Sequence, residues 1–233
     1  GLAMAGVAAL AARQGARREA AMCVFLNNAV FFPTVLLAGL RGPNTPLLAD
    51  LFLFTLFFHA FFMEAVHFFF PRAGAVNWRR LASPVLIATL AALVIRLVQA
   101  QRFVPPFIVE STRLVGGMAV PLLMLILGGA LFLDFEQRGR FEWTEVAKFV
   151  AVKNGLCPLA MVGLLWLIQP PPGVALLLLL QSAAPPITAA VVLVERGRGD
   201  RRIAAQYVLA SFLAALVSTP AALWLASQAG VAF

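Results

Sequence analysis

Apolar segments of membrane-spanning length follow one another along almost the whole chain. One helix needs roughly 20 predominantly apolar residues to cross the hydrocarbon core of a bilayer. About eight segments fit that pattern, the first of them short: 1–12, 20–40, 46–70, 81–101, 109–133, 146–168, 172–195 and 202–228. The connections are short and carry Gly, Pro and charged residues, as turns do. The sequence therefore predicts an all-α polytopic membrane protein.

The composition agrees with this prediction. Hydrophobic residues make up 62% of the 233-residue chain and charged residues 12%, against about 45–50% and about 25% in soluble domains. The net charge of +8 does not indicate nucleic-acid binding, because the basic residues fall in the connections and form no stripe that alternates with aromatic residues. The predicted partner is the lipid bilayer, with no nucleic acid.

The basic residues predict the orientation of the chain. Fourteen of the 18 Lys and Arg residues lie in or beside one alternate set of connections, and four lie in the other set. The positive-inside rule assigns the richer set to the cytoplasm. We expect loops 13–18, 71–80, 135–148 and 195–202 to be cytoplasmic and the C-terminus to lie outside, in a bacterial inner membrane.

Two of the apolar segments carry a polar pair and proline near their middle. They are Asn27, Asn28 and Pro33 in segment 20–40, and Gln181, Ser182, Pro185 and Pro186 in segment 172–195. Each polar pair precedes an arginine by about 14 or 15 residues, and the loop charges make the two segments antiparallel across the membrane. Interrupted helices at matching places in two halves of a chain indicate an inverted repeat, and they are a sequence pointer to the binding site of a transporter.

The same comparison divides the chain into two unequal parts. Residues 1–70 are predicted to be the last three helices of a first repeat, and residues 71–233 a second repeat of five helices. A complete protein of this kind would have about ten helices, so this interpretation places two further helices before residue 1.

The prolines imply unpaired backbone groups inside the membrane. A proline within a helix removes one backbone hydrogen bond, and in hydrocarbon the freed groups must be satisfied by protein, water or a ligand. Half-helix N-termini favour anionic groups, and the amides supply donors and acceptors suited to a carboxylate or an amide. We predict that the seven residues form a substrate-binding site. The alternative is a pair of kinks, since Pro is common in membrane helices.

Three further residues are accessory candidates for this site. Thr188 follows Pro185 by one turn. Lys153 either snorkels to the membrane surface or attracts an anion toward the cytoplasmic vestibule, and Asn154 is adjacent to it.

The third segment contributes a fourth accessory candidate. His59 is a candidate proton relay, whereas Glu64 and His67 are interpreted as interfacial residues. The spacing of a zinc-binding helix is absent, and Cys23 and Cys157 lack metal-ligand spacing. The sequence predicts no metal and no cofactor.

Four stretches carry a family resemblance. They are FLNNAVFFPTVLLAGLRG (25–42), LVGGMAVPLLMLILGGALF (114–132), LQSAAPPITAAVVLVERGRGD (180–200) and STPAALWLA (218–226). In this order they resemble the fourth-helix crossover, the seventh helix, the ninth-helix crossover and the closing helix of the auxin efflux carrier family. The chain departs from the family pattern at Ala29, where a glycine commonly follows the asparagine.

The resemblance implies a ten-helix inverted-repeat carrier, of which this chain would supply helices three to ten. Members are similar to bile-acid-type symporters and work by an elevator motion of a transport domain against a scaffold domain that often forms a homodimer. Their substrates are small organic anions, such as auxins in plants and malate or malonate in bacteria. The coupling ion, proton or sodium, stays open, because neither interrupted segment carries an Asp or Glu at mid-depth.

Two other functions remain as alternatives to an efflux carrier or permease. One is a membrane sensor or scaffold that keeps the fold and does not transport. The other is a sodium-coupled symporter of the bile-acid type, which would normally have more acidic ligands near the crossing. No P-loop, nucleophile elbow or Cys/His cluster is present, so the sequence predicts no enzyme.

Overall fold

A computed structural model describes residues 2–43, 45–56, 58, 66–70, 84–118, 121–122, 125, 128–129, 132–133, 136 and 141–233. The α-helices whose bounds lie in this part are α1 (Leu2–Ala11), α2 (Arg17–Phe25), α3 (Phe31–Arg41), α4 (Leu47–Phe54), α5 (Val66–Phe69), α6 (Pro84–Leu97), α7 (Pro106–Gly117), α8 (Trp143–Val150), α9 (Cys157–Ile168), α10 (Pro172–Ala183), α11 (Ala189–Arg196) and α12 (Arg201–Gln228). A π-helical turn, Ala151–Leu156, joins α8 to α9. The described residues form no strand, so the all-α prediction is confirmed.

Among the described residues, two continuous helices are long and apolar enough to span a membrane. One is Trp143–Ile168, which comprises α8, the π-helical turn and α9, and the other is α12. The carboxylate of Asp200 starts α12 by accepting hydrogen bonds from the backbone N–H groups of Arg202 and Ile203, at 2.9 and 3.3 Å. This is the arrangement expected of a side-chain N-cap.

Both interrupted segments are broken into half-helices. The chain leaves helical geometry between α2 and α3 at residues 26–30, and between α10 and α11 at residues 184–188. The second break contains the Pro185-Pro186 pair that predicts it. The first break precedes Pro33, which lies in the first turn of α3.

The position of Pro33 corrects the expectation that this proline itself interrupts the helix. A proline in the first turn of a helix removes no hydrogen bond from it, because the N–H that proline lacks would have no partner within the helix. The interruption is caused upstream, where the chain turns at Asn27 and Asn28.

Segment 46–70 is not described as one helix. Helix α4 ends at Phe54 and α5 begins at Val66, while residues 57 and 59–65 lie outside the described part. The division of the chain at residue 70 stays a prediction, since residues 71–83 also lie outside it.

Three groups of buried apolar side chains hold the half-helices in place. The largest lies between α1, α2, α8, α11 and α12, and at its centre the ring of Tyr207 stacks on Phe149 with 4.1 Å between centroids. A second group joins α9, α10 and α12, and a third joins α3, α4 and α10. Because α10 takes part in both smaller groups, it packs against α9 and α12 in one of them and against α3 and α4 in the other.

Three of the loops predicted to be cytoplasmic meet at one end of the bundle. The backbone N–H of Arg13 donates to Glu145 Oε1 at 2.9 Å, and the phenol of Tyr207 donates to the same oxygen at 3.3 Å. The backbone N–H of Asp200 donates to Glu19 Oε1 at 2.9 Å. The buried carboxylates Glu19 and Glu145 therefore tie the helix ends together on one side.

Helices α6 and α7 expose nearly all of their described side chains, most of which are apolar. The guanidinium of Arg113 pairs with the carboxylate of Glu110 one turn earlier on α7. An apolar outer surface of this kind is what a helix needs in lipid, where the solvent is as apolar as the side chains.

Candidate functional site

The two helix breaks lie side by side and pair through their backbones. The N–H of Asn28 donates to the carbonyl of Pro185 at 2.7 Å, and the N–H of Ile187 donates to the carbonyl of Leu26 at 2.9 Å. Asn27 and Pro186 form an antiparallel bridge between these two hydrogen bonds. Each break thus satisfies backbone groups that the other has released from helical pairing, as the interior of a membrane requires.

The side-chain amides of Asn27 and Gln181 connect the breaks a second time. Asn27 Nδ2 donates to the backbone carbonyl of Gln181 at 2.8 Å and to its side-chain oxygen at 3.0 Å. In return Gln181 Nε2 donates to the carbonyl of Ala29. The Gln181 carbonyl is among the last four of α10, which have no partner within their own helix. Asn27 therefore closes the C-terminal end of α10 from the other half of the chain.

The side chain of Asn28 bonds within its own segment, unlike that of Asn27. Its side-chain oxygen accepts hydrogen bonds from the backbone N–H groups of Phe31 and Phe32, at 3.1 and 3.2 Å, which caps the N-terminus of α3. Thr34 donates its own N–H to the carbonyl of Val30, and Pro33 has no N–H. The donors of the first turn of α3 are therefore occupied. Asn28 Nδ2 is buried and has no hydrogen-bond partner among the described residues.

The remaining predicted residues of the second break have local roles. Ser182 Oγ donates to the carbonyl of Leu179 at 2.8 Å. Pro185 and Pro186 are buried, and both take part in the backbone pairing between the breaks. Thr188 precedes α11 and makes no side-chain cap to it.

A cavity of about 470 Å³ opens beside the two breaks. Its polar lining comes from Asn27, Gln181, Ser182, Thr55 and Lys153, and its apolar lining includes Met4, Phe25, Phe54, Phe58, Cys157 and Met161. The predicted site residues Asn28, Pro33, Pro185, Pro186 and Thr188 are not part of this wall. The structure therefore brings three of the seven predicted residues to one cavity. Asn28, Pro185 and Pro186 lie in the paired breaks instead, and Pro33 lies in the first turn of α3.

Lys153 is buried in the wall of this cavity, with 3% of its surface exposed. A lysine that snorkels keeps its ammonium group in water at the membrane surface, so the burial supports the alternative interpretation of this residue. None of the described carboxylates lies within ion-pair distance of Lys153, and it donates no hydrogen bond to a described residue.

Asn154 faces α12 instead of the cavity. Its Nδ2 donates to the carbonyl of Ser211 at 3.1 Å and to Ser218 Oγ at 3.4 Å, and its Oδ1 accepts from Ser211 Oγ at 2.6 Å. Ser211 and Ser218 were not predicted as functional candidates from the sequence. Their signal was available, because both are polar residues in an otherwise apolar segment.

His59 is the remaining accessory candidate. His59 lies outside the described residues, as does Glu64, so the proton-relay interpretation stays a prediction. Within the described part of the chain, no three His, Cys, Asp or Glu side chains are grouped so as to hold a metal ion.

The model of a family described as membrane transport protein matches residues 68–223, which is more than half of the chain. The match includes the second interrupted helix, α10 and α11, and begins after the first, α2 and α3. No curated protein and no solved structure matches the chain at a significant level.

Proposed function

Because the chain belongs to the membrane transport protein family, the family of auxin-efflux-type carriers, we propose that it is a secondary carrier of a small organic anion. The observation that carries this proposal is the cavity beside the paired breaks, which combines amide groups, a buried lysine and a mainly apolar wall. Ligand pockets usually enclose about 300–1,000 Å³ and place a few polar groups on an apolar lining.

The chemistry of the wall favours a carboxylate with an apolar body. Asn27 donates both of its side-chain N–H groups to Gln181, whereas Gln181 uses one of its two for Ala29 among the described contacts and keeps the other as a donor for a carboxylate. The ammonium of Lys153 offers a charge-assisted bond, which is stronger than a neutral one. The aromatic and thioether side chains would cover the rest of the substrate.

The paired breaks also support alternating access by an elevator motion. Two backbone–backbone hydrogen bonds join the two crossover segments, and three more are donated by the side-chain amides of Asn27 and Gln181. The half-helices would therefore move as one body. The cavity would then travel with its polar groups in constant geometry. In inverted-repeat carriers the substrate site lies where the repeats meet.

The test is uptake by the full-length protein in proteoliposomes, with a panel of mono- and dicarboxylates, with and without proton and sodium gradients. We expect saturable uptake of at least one anion. Gln181→Ala should reduce it at least tenfold, since the substitution removes a lining amide and the bond to Ala29. Gln228→Ala, at the exposed end of α12, is the matched control and should transport normally.

Two results would contradict the proposal in different ways. Normal uptake by Gln181→Ala would refute the assignment of the site. Absence of uptake of every panel member by correctly inserted wild-type protein would refute the anion carrier and favour a sensor or scaffold with the same fold.

A further inference from the structure

Lys153 is a positive charge without a described counter-charge in the wall of a membrane cavity. Burying an ionised group is expensive unless an opposite charge or hydrogen bonds compensate it. The neighbouring titratable groups are the thiols of Cys157, on the next turn of the same helix, and Cys23, on α2. Neither is a carboxylate, so this position favours an anion that arrives from outside the protein.

The π-helical turn determines where Lys153 lies. Three consecutive residues, Val152, Lys153 and Asn154, are all buried in this turn. Asn154 makes three hydrogen bonds to Ser211 and Ser218 on α12, while the adjacent Lys153 lines the cavity. Since neighbouring side chains on a helix project in different directions, an anchored Asn154 holds Lys153 on the cavity side.

We propose that Lys153 selects the anion in this cavity and that the Asn154–Ser211 pair positions it. The proposal rests on the proposed carrier function for its substrate and goes beyond it in naming the group that distinguishes a carboxylate from a neutral molecule of the same shape. Lys153 is a binding residue in this scheme, and Asn154 is a positioning residue that acts through it.

The first experiment needs no transported substrate. The thiol of Cys157 lines the same cavity, and alkyl methanethiosulfonates convert a thiolate to a mixed disulfide with release of methanesulfinate. We compare the reaction rates of the anionic sulfonatoethyl and the cationic trimethylammonioethyl reagents on detergent-purified full-length protein. Cys157→Ala identifies the signal of this thiol, which is 8% exposed, whereas Cys23 is 0% exposed and does not line the cavity.

We expect the anionic reagent to be favoured in the wild type, and Lys153→Met to lower the ratio of the two rates about tenfold. A unit charge about 6 Å away attracts one reagent and repels the other by enough to produce that factor even at the dielectric constant of water. Since both reagents meet one thiol, a change in its thiolate fraction cancels in the ratio. Lys153→Arg should keep the ratio. Lys148→Met is the control, since Lys148 is an exposed lysine on α8.

The second experiment measures ligand binding with benzoate and its neutral isostere benzamide, by equilibrium dialysis on the same preparations. Lys153→Met should weaken benzoate roughly ten- to hundredfold, the range of a hydrogen bond to a charged group, and leave benzamide unchanged. Asn154→Ala and Ser211→Ala should each weaken benzoate selectively but less. Thr219→Val, a change at another buried hydroxyl of α12, should affect neither ligand.

The results separate the inference from the carrier function. An unchanged rate ratio in Lys153→Met would overturn the role of Lys153 even if the protein transports anions. Equal losses of benzoate and benzamide in Asn154→Ala would overturn the positioning role, because they would indicate general damage. If Lys153→Met changes the rate ratio but the wild type does not bind benzoate, Lys153 acts as a cation in the cavity, and a carboxylate is refuted as its ligand.

Discussion

The side-chain nitrogen of Asn27 lies 2.8 Å from the backbone carbonyl oxygen of Gln181, a residue 154 positions further along the chain. One amide group thereby caps a helix that belongs to the other half of the sequence. The side chain of Gln181 in turn donates a hydrogen bond to the carbonyl of Ala29, so Asn27 and Gln181 together join the two breaks. This pair links stability to the site, because both amides also line the cavity.

Asn27→Asp should destabilise the protein while keeping the shape of the side chain. A carboxylate cannot donate, so the carbonyl and side-chain oxygens of Gln181 lose their partner, and a negative charge faces them. Each buried polar group left unsatisfied costs about 1–3 kcal/mol. Thermal unfolding of the detergent-purified protein measures the loss. An unfolding temperature equal to that of the wild type would show that the bond contributes nothing.

Asn28→Ala should lower stability without changing substrate affinity. The substitution removes the oxygen that caps α3, and loss of such a cap costs about 1 kcal/mol. Asn28→Asp and Asn28→Ser should retain most of the stability, since both residues supply a capping oxygen. Unfolding and uptake are measured on the same preparations. A rise in the apparent KM at unchanged stability would instead indicate direct contact between Asn28 and the substrate.

Tyr207→Phe and Tyr207→Ala should differ strongly in stability. The phenylalanine keeps the stacking on Phe149 and loses only the hydrogen bond to Glu145, which costs about 0.5–1.5 kcal/mol. The alanine leaves a cavity in the largest buried cluster, which costs about 3–5 kcal/mol for an aromatic side chain. Chemical denaturation distinguishes the two. Equal effects of both variants would assign the role of Tyr207 to its hydroxyl group alone.

Thr219→Val should be neutral or stabilising. The hydroxyl of Thr219 is buried and makes no hydrogen bond to a described residue, and valine has nearly the same shape without the polar atom. Removing an unsatisfied hydroxyl recovers part of its desolvation cost, about 1 kcal/mol or more. The midpoint of thermal unfolding is the measurement. A clear loss of stability would mean that Thr219 has a partner that the described contacts do not include, such as a bound water or ion.

The helical architecture was predictable because it follows from local chemistry. Segments 146–168 and 202–228 correspond closely to the long helices Trp143–Ile168 and Arg201–Gln228, since an apolar run of that length pairs its own backbone. The break at Pro185 could also be predicted from the local sequence, because two consecutive prolines remove two N–H donors. At Pro33 the same reasoning placed the interruption too late, because a proline fits the first turn of a helix as well as it breaks the middle of one.

The assignment of polar residues to the candidate site was less predictable. Lys153 and Asn154 are adjacent in sequence, yet one lines the cavity and the other bonds to Ser211. Ser211 lies 57 residues away from Asn154, and its contribution depends on how α12 packs against the π-helical turn. No pattern within either segment carries that information.

By itself the sequence determined that this chain is a bundle of membrane helices with two interruptions, because helix length, apolarity and proline act over a few residues. Only the tertiary structure decided what each polar group does. Asn27 and Asn28 have the same side chain and adjacent positions, but one crosses to Gln181 and the other caps its own helix. The physical reason is that a hydrogen bond requires a partner within about 3 Å, and packing brings together partners that lie far apart along the chain.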